Sequence, residues 1–252
     1  MVDFNFEGKV ALINGGSRGI GEAFAMEYAK RGAKVIVSSR KQAGVDAVAQ
    51  AIRDAGGQAE GVACHTGDGE QIAALFSHIK EHYGRLDVLI NNAATNPYFG
   101  PIINAPESAF DKTFEVNVKG YFMMAQQAAR IMAEQGSGSI INVSSIEGMS
   151  PSPMMGIYSM TKAAVIMLTK TMAKELGPVN VRSNCICPGL TETKFASVLI
   201  DTPEIYDQYI SAAPMARHAQ PEEIVGAAVF LGSEASSYTT GTVITCDGGT
   251  SI

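Results

Sequence analysis

Tyr158 and Lys162, two side chains that could exchange a proton with a substrate, stand four residues apart in the stretch IYSMTKAAVIM at 157–167. The stretch is otherwise typical of an apolar helix, and residues at i and i+4 lie one above the other on a helix face. An isolated phenol has a pKa of about 10, which makes it a poor base near neutrality. Because a neighbouring ammonium favours the phenolate and lowers that pKa, the spacing indicates an acid–base catalyst.

A glycine-rich turn forms a second candidate site. Residues 14–21 read NGGSRGIG, in which Gly15, Gly19 and Gly21 follow the spacing G-x-x-x-G-x-G between an apolar strand and a helix. Glycines let the backbone approach a pyrophosphate, and the following helix offers free N–H groups and the positive end of its dipole. With the strand and the helix both in place, the turn predicts dinucleotide binding.

The end of the second strand, VSSRKQ, indicates which dinucleotide binds. A carboxylate at this place would accept hydrogen bonds from the ribose 2′-hydroxyl of NAD. Ser39 stands there instead, Arg40 follows it, and Arg18 lies in the glycine turn. Guanidinium groups match phosphate oxygens, so the two arginines favour the 2′-phosphate of NADP(H). The alternative is that both arginines are solvated surface residues and that the site takes NAD(H).

Composition and charge exclude several other classes of protein. The chain has 252 residues, 46% of them hydrophobic and 17% charged, which is typical of a globular domain with a well-buried core. Its net charge is −6, whereas a general nucleic-acid surface needs a basic face. No apolar run approaches the ~20 residues of a membrane-spanning helix. The N-terminal MVDFNFEGKVALING lacks the pattern of a signal peptide.

Cysteines and histidines give no sign of a metal site. Four cysteines lie in or beside strand-like segments: Cys64, Cys185, Cys187 and Cys246. We expect buried free thiols, which pack as small hydrophobes and favour a cytoplasmic location. His78, His82 and His218 have no partners at a metal-ligating spacing, and we expect them at the surface.

Strand-like and helix-like segments alternate along the whole chain. Short β-branched runs occupy 9–13, 34–38, 58–63, 87–91, 139–143, 181–186 and 242–246. Helical patterns occupy 20–31, 42–55, 70–83, 107–134, 157–176 and 221–231. Strands that alternate with helices form βαβ units around a parallel sheet. We therefore expect an α/β fold: a single doubly wound, Rossmann-type domain over residues 1–252, with a seven-stranded, mainly parallel sheet and helices on both faces.

Six motifs in a fixed order resemble those of a known family. They are NGGSRGIG, NNAA at 91–94, Asn117 in FEVNVKG, Ser145 at the end of INVSS, YSMTK, and PGLTET at 188–193. In content and spacing they resemble the short-chain dehydrogenase/reductase family over nearly the full length of the chain. Within that family, VSSRKQ, NPYFG and SPSP are similar to the NADP-dependent carbonyl reductases of the dehydrogenase/reductase group.

The resemblance implies hydride transfer between NADP(H) and a small carbonyl compound or alcohol, with Tyr158 as the acid–base group. Ser145 would stabilise charge on the substrate oxygen, Lys162 would also hold the cofactor ribose, and Asn117 would support a water that resupplies protons. The segment 194–213 would be a substrate lid. The cofactor-binding residues implied are Gly15, Ser17, Arg18, Gly19, Ile20, Gly21, Ser39, Arg40, Asn92, Ala93, Tyr158, Lys162, Pro188, Gly189, Leu190, Thr191 and Thr193.

The sequence departs from the family pattern at two positions. Asn14 opens the glycine turn where the family usually has threonine, and since an amide can still bond a neighbouring turn, we expect the turn to be kept. His65 follows the third strand where an acidic residue usually stands beside the adenine. It either stacks on the base or is an ordinary surface residue. Residues 149–156, MSPSPMMG, either line an apolar substrate pocket or form a packed loop.

The expected activity is NADP(H)-dependent interconversion of a carbonyl compound and its alcohol, and three alternatives remain. They are reduction of 3-oxoacyl groups on a carrier protein, NAD-linked alcohol oxidation, and cofactor binding without chemistry. An acidic carrier protein would need basic residues near the mouth, and NNAATNPYFGPI contains none. The complete set of Asn117, Ser145, Tyr158 and Lys162 argues against a protein without activity.

Two helical segments predict the assembly. Those at 107–134 and 157–176 have more apolar positions than one sheet-facing stripe needs, with Tyr121, Phe122, Met123 and Met124 in a row. A helix that is apolar on two faces must bury both of them. In the family such helices pair with their symmetry mates, so we expect a homotetramer closed by two-fold interfaces.

Overall fold

A seven-stranded parallel sheet runs through the chain, whose residues 3–252 are described by a computed structural model. The strands are β1 Val10–Asn14, β2 Lys34–Ser39, β3 Gln58–Ala63, β4 Val88–Asn91, β5 Gly138–Val143, β6 Val181–Pro188 and β7 Val243–Cys246. Their order in the sheet is β3-β2-β1-β4-β5-β6-β7, and every neighbouring pair is parallel. This arrangement confirms the predicted doubly wound fold, with all strands parallel rather than most.

Helices cover both faces of the sheet. They are α1 Gly19–Lys30, α2 Gln42–Asp54, α3 Gly69–Tyr83, α4 Glu107–Phe114, α5 Tyr121–Gln135, α6 Gly156–Leu176, α7 Ser197–Ile200, α8 Pro203–Ala212 and α9 Pro221–Gly232. Successive side chains of a strand point to opposite faces. Ala11 and Ile13 of β1 therefore pack with α1, α2 and α9, whereas Val10 and Leu12 pack with α3 and α5. Burial on both sides explains why central strands such as β1 and β4 are nearly continuous apolar runs.

The helix expected at 107–134 is interrupted by a π-helical turn. α4 and α5 are separated by Glu115–Gly120, in which Val116, Asn117 and Gly120 are buried. A side chain at Gly120 would lie 2.3 Å from the Thr66 oxygen, so the helix approaches the loop after β3 closely at this point. Single π turns inside α-helices are frequent at functional sites, and this one contains a candidate catalytic residue.

The topology places the candidate residues at one edge. The strand order reverses between β1 and β4, and ligands of open α/β sheets bind in the crevice beyond the carboxyl ends of the strands at such a point. The glycine turn follows β1, and the asparagine-rich segment follows β4. Cys64, Cys185 and Cys187 are buried free thiols. Within residues 3–252, no helix is both long and apolar enough to cross a membrane.

Candidate active site

The glycine turn between β1 and α1 lets a phosphate group approach its backbone. Gly15 has a φ of +79°, and a side chain there would come within 2.5 Å of the Ala93 nitrogen. A side chain at Gly21 would lie only 2.1 Å from the Gly15 oxygen, to which Asn92 Nδ2 donates at 3.1 Å. Arg18, the N-cap of α1, makes no side-chain capping bond. The first N–H groups of the helix are therefore free for an anion, and the turn fits a pyrophosphate.

Three asparagines form a ladder beneath this turn, one from each of β1, β4 and β5. Asn14 Nδ2 donates to Asn91 Oδ1 at 3.5 Å, and Asn91 Nδ2 donates to Asn142 Oδ1 at 3.0 Å. Thr66 Oγ1 donates to Asn14 Oδ1 at 3.0 Å. These buried bonds fix the strand ends against one another, and the turn that opens with Asn14 is kept as expected. The Ile-Asn pair shared by the three strands is the signal from which the ladder could have been predicted.

The residues expected at the adenosine ribose lie together at the end of β2. Ser39 Oγ donates to Ser17 Oγ at 2.9 Å, which ties the strand end to the glycine turn. Arg40 follows Ser39, and the side chains of Arg40 and Arg18 are both exposed. Ile20, at the start of α1, packs against the core. The structure thus shows two exposed guanidinium groups at one rim and no carboxylate at position 39.

The segment after β6 lies over the glycine turn. The Leu190 oxygen accepts a bond from the Ala219 nitrogen at 2.9 Å, and Thr191 forms a β-bridge with Ala219. A side chain at Gly19 would come within 3.0 Å of Thr193 Cγ2. Pro188 ends β6, and the predicted residues that belong to the covering segment after it are Gly189, Leu190, Thr191 and Thr193.

Tyr158 and Lys162 lie in the first turns of α6, as their spacing predicts, and both are buried. Their exposed fractions are 7% and 1%. Lys162 Nζ donates to the Val143 oxygen at the end of β5 at 2.8 Å and lies 5.5 Å from the centroid of the Tyr158 ring. Phe195, from the expected lid, packs on the tyrosine with 5.6 Å between ring centroids.

The pKa values of this pair differ from the expectation drawn from the sequence. Burial lowers the pKa of Lys162 to about 8. Burial also raises the pKa of Tyr158 above its ordinary value; the Glu147 carboxylate adds to the rise, and a hydrogen bond with Ser145 opposes it. The expected lowering of the Tyr158 pKa by Lys162 is therefore wrong for this structure. The physical reason is that desolvation of the phenol and a nearby anion raise its pKa, and no lowering by Lys162 accompanies them.

Ser145 and Asn117 approach the pair from two other elements. Ser145 follows β5, and its Oγ accepts a bond from the Glu147 nitrogen at 3.2 Å. Asn117 lies in the π turn, where its Oδ1 accepts from the Thr95 nitrogen at 2.9 Å and its Nδ2 donates to Thr161 Oγ1 at 3.1 Å. The Asn117 side chain thus braces the π turn against the loop after β4 and against α6.

The histidines are less exposed than expected. Only His82 is an exposed residue; His78 and His218 are half-buried, and each is bonded to a glutamate. The reason is that both side chains find carboxylate partners across neighbouring elements. His65 is half-buried, with its Nδ1 held by the Gly67 N–H at 2.9 Å. In the described part of the chain, no three metal-ligating side chains lie close enough to hold an ion.

Comparison with known proteins gives concordant matches. Residues 15–251 match the family model described as enoyl-(acyl carrier protein) reductase. The chain is 40% identical over 243 residues to dehydrogenase/reductase SDR family member 4 of Bos taurus, covering 96% of this chain and 87% of that protein.

Two solved structures share the fold and differ in cofactor. A gluconate 5-dehydrogenase from Burkholderia cenocepacia, in complex with NADP and tartrate, is 32% identical with a TM-score of 0.95, covering 98% of this chain and 96% of that one. A 7α-hydroxysteroid dehydrogenase, complexed with NADH and 7-oxoglycochenodeoxycholic acid, is 33% identical with a TM-score of 0.93. The match covers 98% of this chain and 95% of that one.

Proposed function

The chain belongs to the short-chain dehydrogenase/reductase family of NAD(P)-dependent oxidoreductases that act on alcohols and carbonyl compounds, and we propose that it is an NADP(H)-dependent carbonyl reductase. The observation that supports this most directly is the juxtaposition of Tyr158, Lys162 and Ser145 beyond the carboxyl ends of the strands. The glycine turn and the two exposed arginines support NADP(H) as the cofactor. The cytoplasmic location favoured by the free thiols stays a prediction.

Each catalytic residue has a role that its position can supply. NADPH, when bound, would supply the hydride. Tyr158 donates its proton to the substrate oxygen as the carbonyl carbon is reduced. The Ser145 hydroxyl donates a hydrogen bond to that oxygen. Lys162 would hold the cofactor ribose, and Asn117 would support the water that resupplies protons.

The rim of the proposed site favours apolar substrates. Large apolar side chains are exposed on the three segments that border Tyr158: Ile102, Ile103, Met149, Met154, Phe195 and Val198. Two of these segments are connected, since the Gly100 nitrogen donates to the Met154 oxygen at 3.0 Å. Such a rim removes apolar surface from water when an apolar carbonyl compound enters. We infer an aromatic or alicyclic ketone or aldehyde as the substrate class.

A turnover screen tests the proposed function. Oxidation of NADPH is followed by its absorbance with aromatic, alicyclic and sugar-derived carbonyl compounds, and again with NADH. We expect turnover with NADPH and the apolar carbonyls, because those compounds bury surface against the exposed rim. No turnover with any carbonyl and either cofactor would contradict the proposal.

Reduction of 3-oxoacyl groups on a carrier protein is the second candidate; the matching family model is described as enoyl-(acyl carrier protein) reductase, which shares the carrier protein with this candidate but not the carbonyl chemistry. The loop from Asn92 to Pro106 that borders the site contains no lysine or arginine to bind an acidic carrier. An acetoacetyl thioester in the same screen separates the two functions. Higher kcat/KM with the thioester than with every simple ketone would favour this candidate.

We also propose that the protein is a homotetramer. Four apolar residues on α4, α5 and α6 are exposed: Phe110, Phe122, Met160 and Met167. Burial of such a patch stabilises association.

Light scattering at micromolar protein should give four times the mass of one chain. Met167→Glu should lower that mass, since it places a charge in the interface. Tyr238→Glu is the control, because Tyr238 is fully exposed and lies between α9 and β7 rather than on α4, α5 or α6. A monomeric wild type would contradict the proposal.

A further inference from the structure

Glu147 is a buried acid beside the proposed catalytic pair, and it has none of the catalytic roles proposed for this site. Only 5% of its surface is exposed. It lies in the short turn Ile146–Gly148 directly after Ser145, and its backbone nitrogen donates to the Ser145 hydroxyl oxygen at 3.2 Å. Burying a carboxylate is costly unless it is paired or hydrogen-bonded, so its partners show what the residue does.

The carboxylate joins three segments that border the site. Glu147 Oε2 accepts bonds from the Ser152 nitrogen and from Ser159 Oγ, each at 2.9 Å. Its Oε1 accepts a bond from Ser152 Oγ. Ser152 belongs to the loop at 149–155, and Ser159 follows Tyr158 in the first turn of α6. All three donors are uncharged, so these bonds hold the carboxylate in place without cancelling its negative charge.

That charge acts on two phenols. Burial raises the pKa of Tyr158, with Glu147 as the next contribution. Burial likewise raises the pKa of Tyr209 on α8, which faces Ser152 and Glu147. The groups that face Tyr158 from the elements packed around it are Glu147 and Ser145 after β5, Cys187 of β6, Tyr209 of α8, Tyr121 of α5 and Lys162 of α6. Glu147 is the only carboxylate in this set.

We propose that Glu147 is a positioning residue that fixes the Ser145 turn, the loop at 149–155 and the first turn of α6 relative to one another, and that its negative charge opposes ionisation of the Tyr158 phenol. This inference rests on the proposed function, in which Tyr158 donates a proton to the substrate oxygen. Carbonyl reduction needs the phenol, whereas alcohol oxidation needs the phenolate as base. Glu147 therefore lowers kcat for alcohol oxidation, the step that needs the phenolate, near neutral pH.

The pH dependence of alcohol oxidation tests this role. In Glu147→Gln, the midpoint at which kcat rises with pH should move down by at least about half a unit, since a nearby anion no longer opposes the phenolate. At pH 7 and saturating substrates, the ratio of kcat for oxidation to kcat for reduction should rise about threefold or more. This is the same half unit expressed as a ratio. The dissociation constant of NADPH, measured by calorimetry, should stay within about twofold, because no residue of the glycine turn is changed.

Glu60→Gln is the matched control. Glu60 is a partly exposed carboxylate of β3 that also accepts side-chain bonds, from His78 and Tyr83. Its replacement should not change the midpoint pH of the rise in kcat for alcohol oxidation. An unshifted midpoint in a folded, active Glu147→Gln protein overturns the inference, as a purely structural glutamate would lower stability without moving the profile.

A second variant keeps the inference testable if Glu147→Gln does not fold. Ser152→Ala withdraws the loop hydroxyl from the carboxylate and keeps the charge, so the substrate KM should rise about threefold or more with NADPH binding unchanged. An unchanged KM in Ser152→Ala overturns the positioning role. Failure of the proposed function is recognised separately, because the wild type would then show no turnover with NADPH.

Discussion

Replacement of Tyr158 by phenylalanine is expected to lower kcat by about 10²- to 10⁴-fold, which is the usual contribution of a general acid–base group. The substitution keeps the ring that packs on Phe195 and removes the proton that the substrate oxygen would take. The affinity for NADPH should be largely kept, because the phenol acts mainly on the reacting oxygen and Tyr158 is only one of many expected cofactor contacts. Stopped-flow or steady-state absorbance measures kcat, and calorimetry measures binding.

Tyr83→Phe is the matched control for this prediction. The Tyr83 hydroxyl donates to Glu60 at 2.7 Å at the end of α3, on another element from the proposed site, so its removal should leave kcat unchanged. Turnover of Tyr158→Phe close to that of the wild type would show that another group supplies the proton.

Replacement of Ser39 by aspartate is expected to reverse the choice of cofactor. The wild type should favour NADPH over NADH by roughly ten- to a thousandfold in kcat/KM, since each charge-assisted bond to a phosphate contributes ~1.5–3 kcal/mol before solvent reduces it. Aspartate would repel the 2′-phosphate and accept bonds from the 2′-hydroxyl of NADH. Arg40→Ala should weaken NADPH binding and leave NADH nearly unchanged, because it removes one phosphate contact.

Arg53→Ala controls for the loss of a positive charge. Arg53 is on α2, where its guanidinium bonds to the Ala59 oxygen and to Gln50, and its replacement should not change the preference. A wild type with equal kcat/KM for the two cofactors, or with a preference for NADH, would mean that Arg18 and Arg40 are surface residues only.

The fold could be predicted because each strand is a short β-branched run between longer helical patterns. β1 shows why: Val10 to Asn14 are all buried, so the segment is apolar without alternation, as strands covered on both faces are. The order of the strands and the shared carboxyl edge follow from the rules for parallel sheets. The positions of Tyr158, Ser145 and the glycine turn were predictable because their motifs have fixed spacing.

Features that depend on contacts between distant segments were not predictable. The π turn at Glu115–Gly120 places Asn117 against Thr95 and Thr161, and no helical pattern shows such an extra residue. The direction of the Tyr158 pKa depends on burial and on Glu147, whereas the sequence shows only the neighbouring lysine. Glu147 lies in a loop in the sequence, and its burial appears only when α6 and the loop at 149–155 close around it.

The transfer of deuterium from labelled cofactor shows directly whether the protein moves a hydride from NADPH to a carbonyl carbon. NADPH that carries deuterium at both C4 positions is incubated with the protein and the best apolar ketone from the screen, and the alcohol product is analysed by mass spectrometry. We expect one deuterium on the carbinol carbon of the wild-type product and almost no product with Tyr158→Phe. An alcohol without deuterium, or no alcohol from any carbonyl compound, would contradict the account.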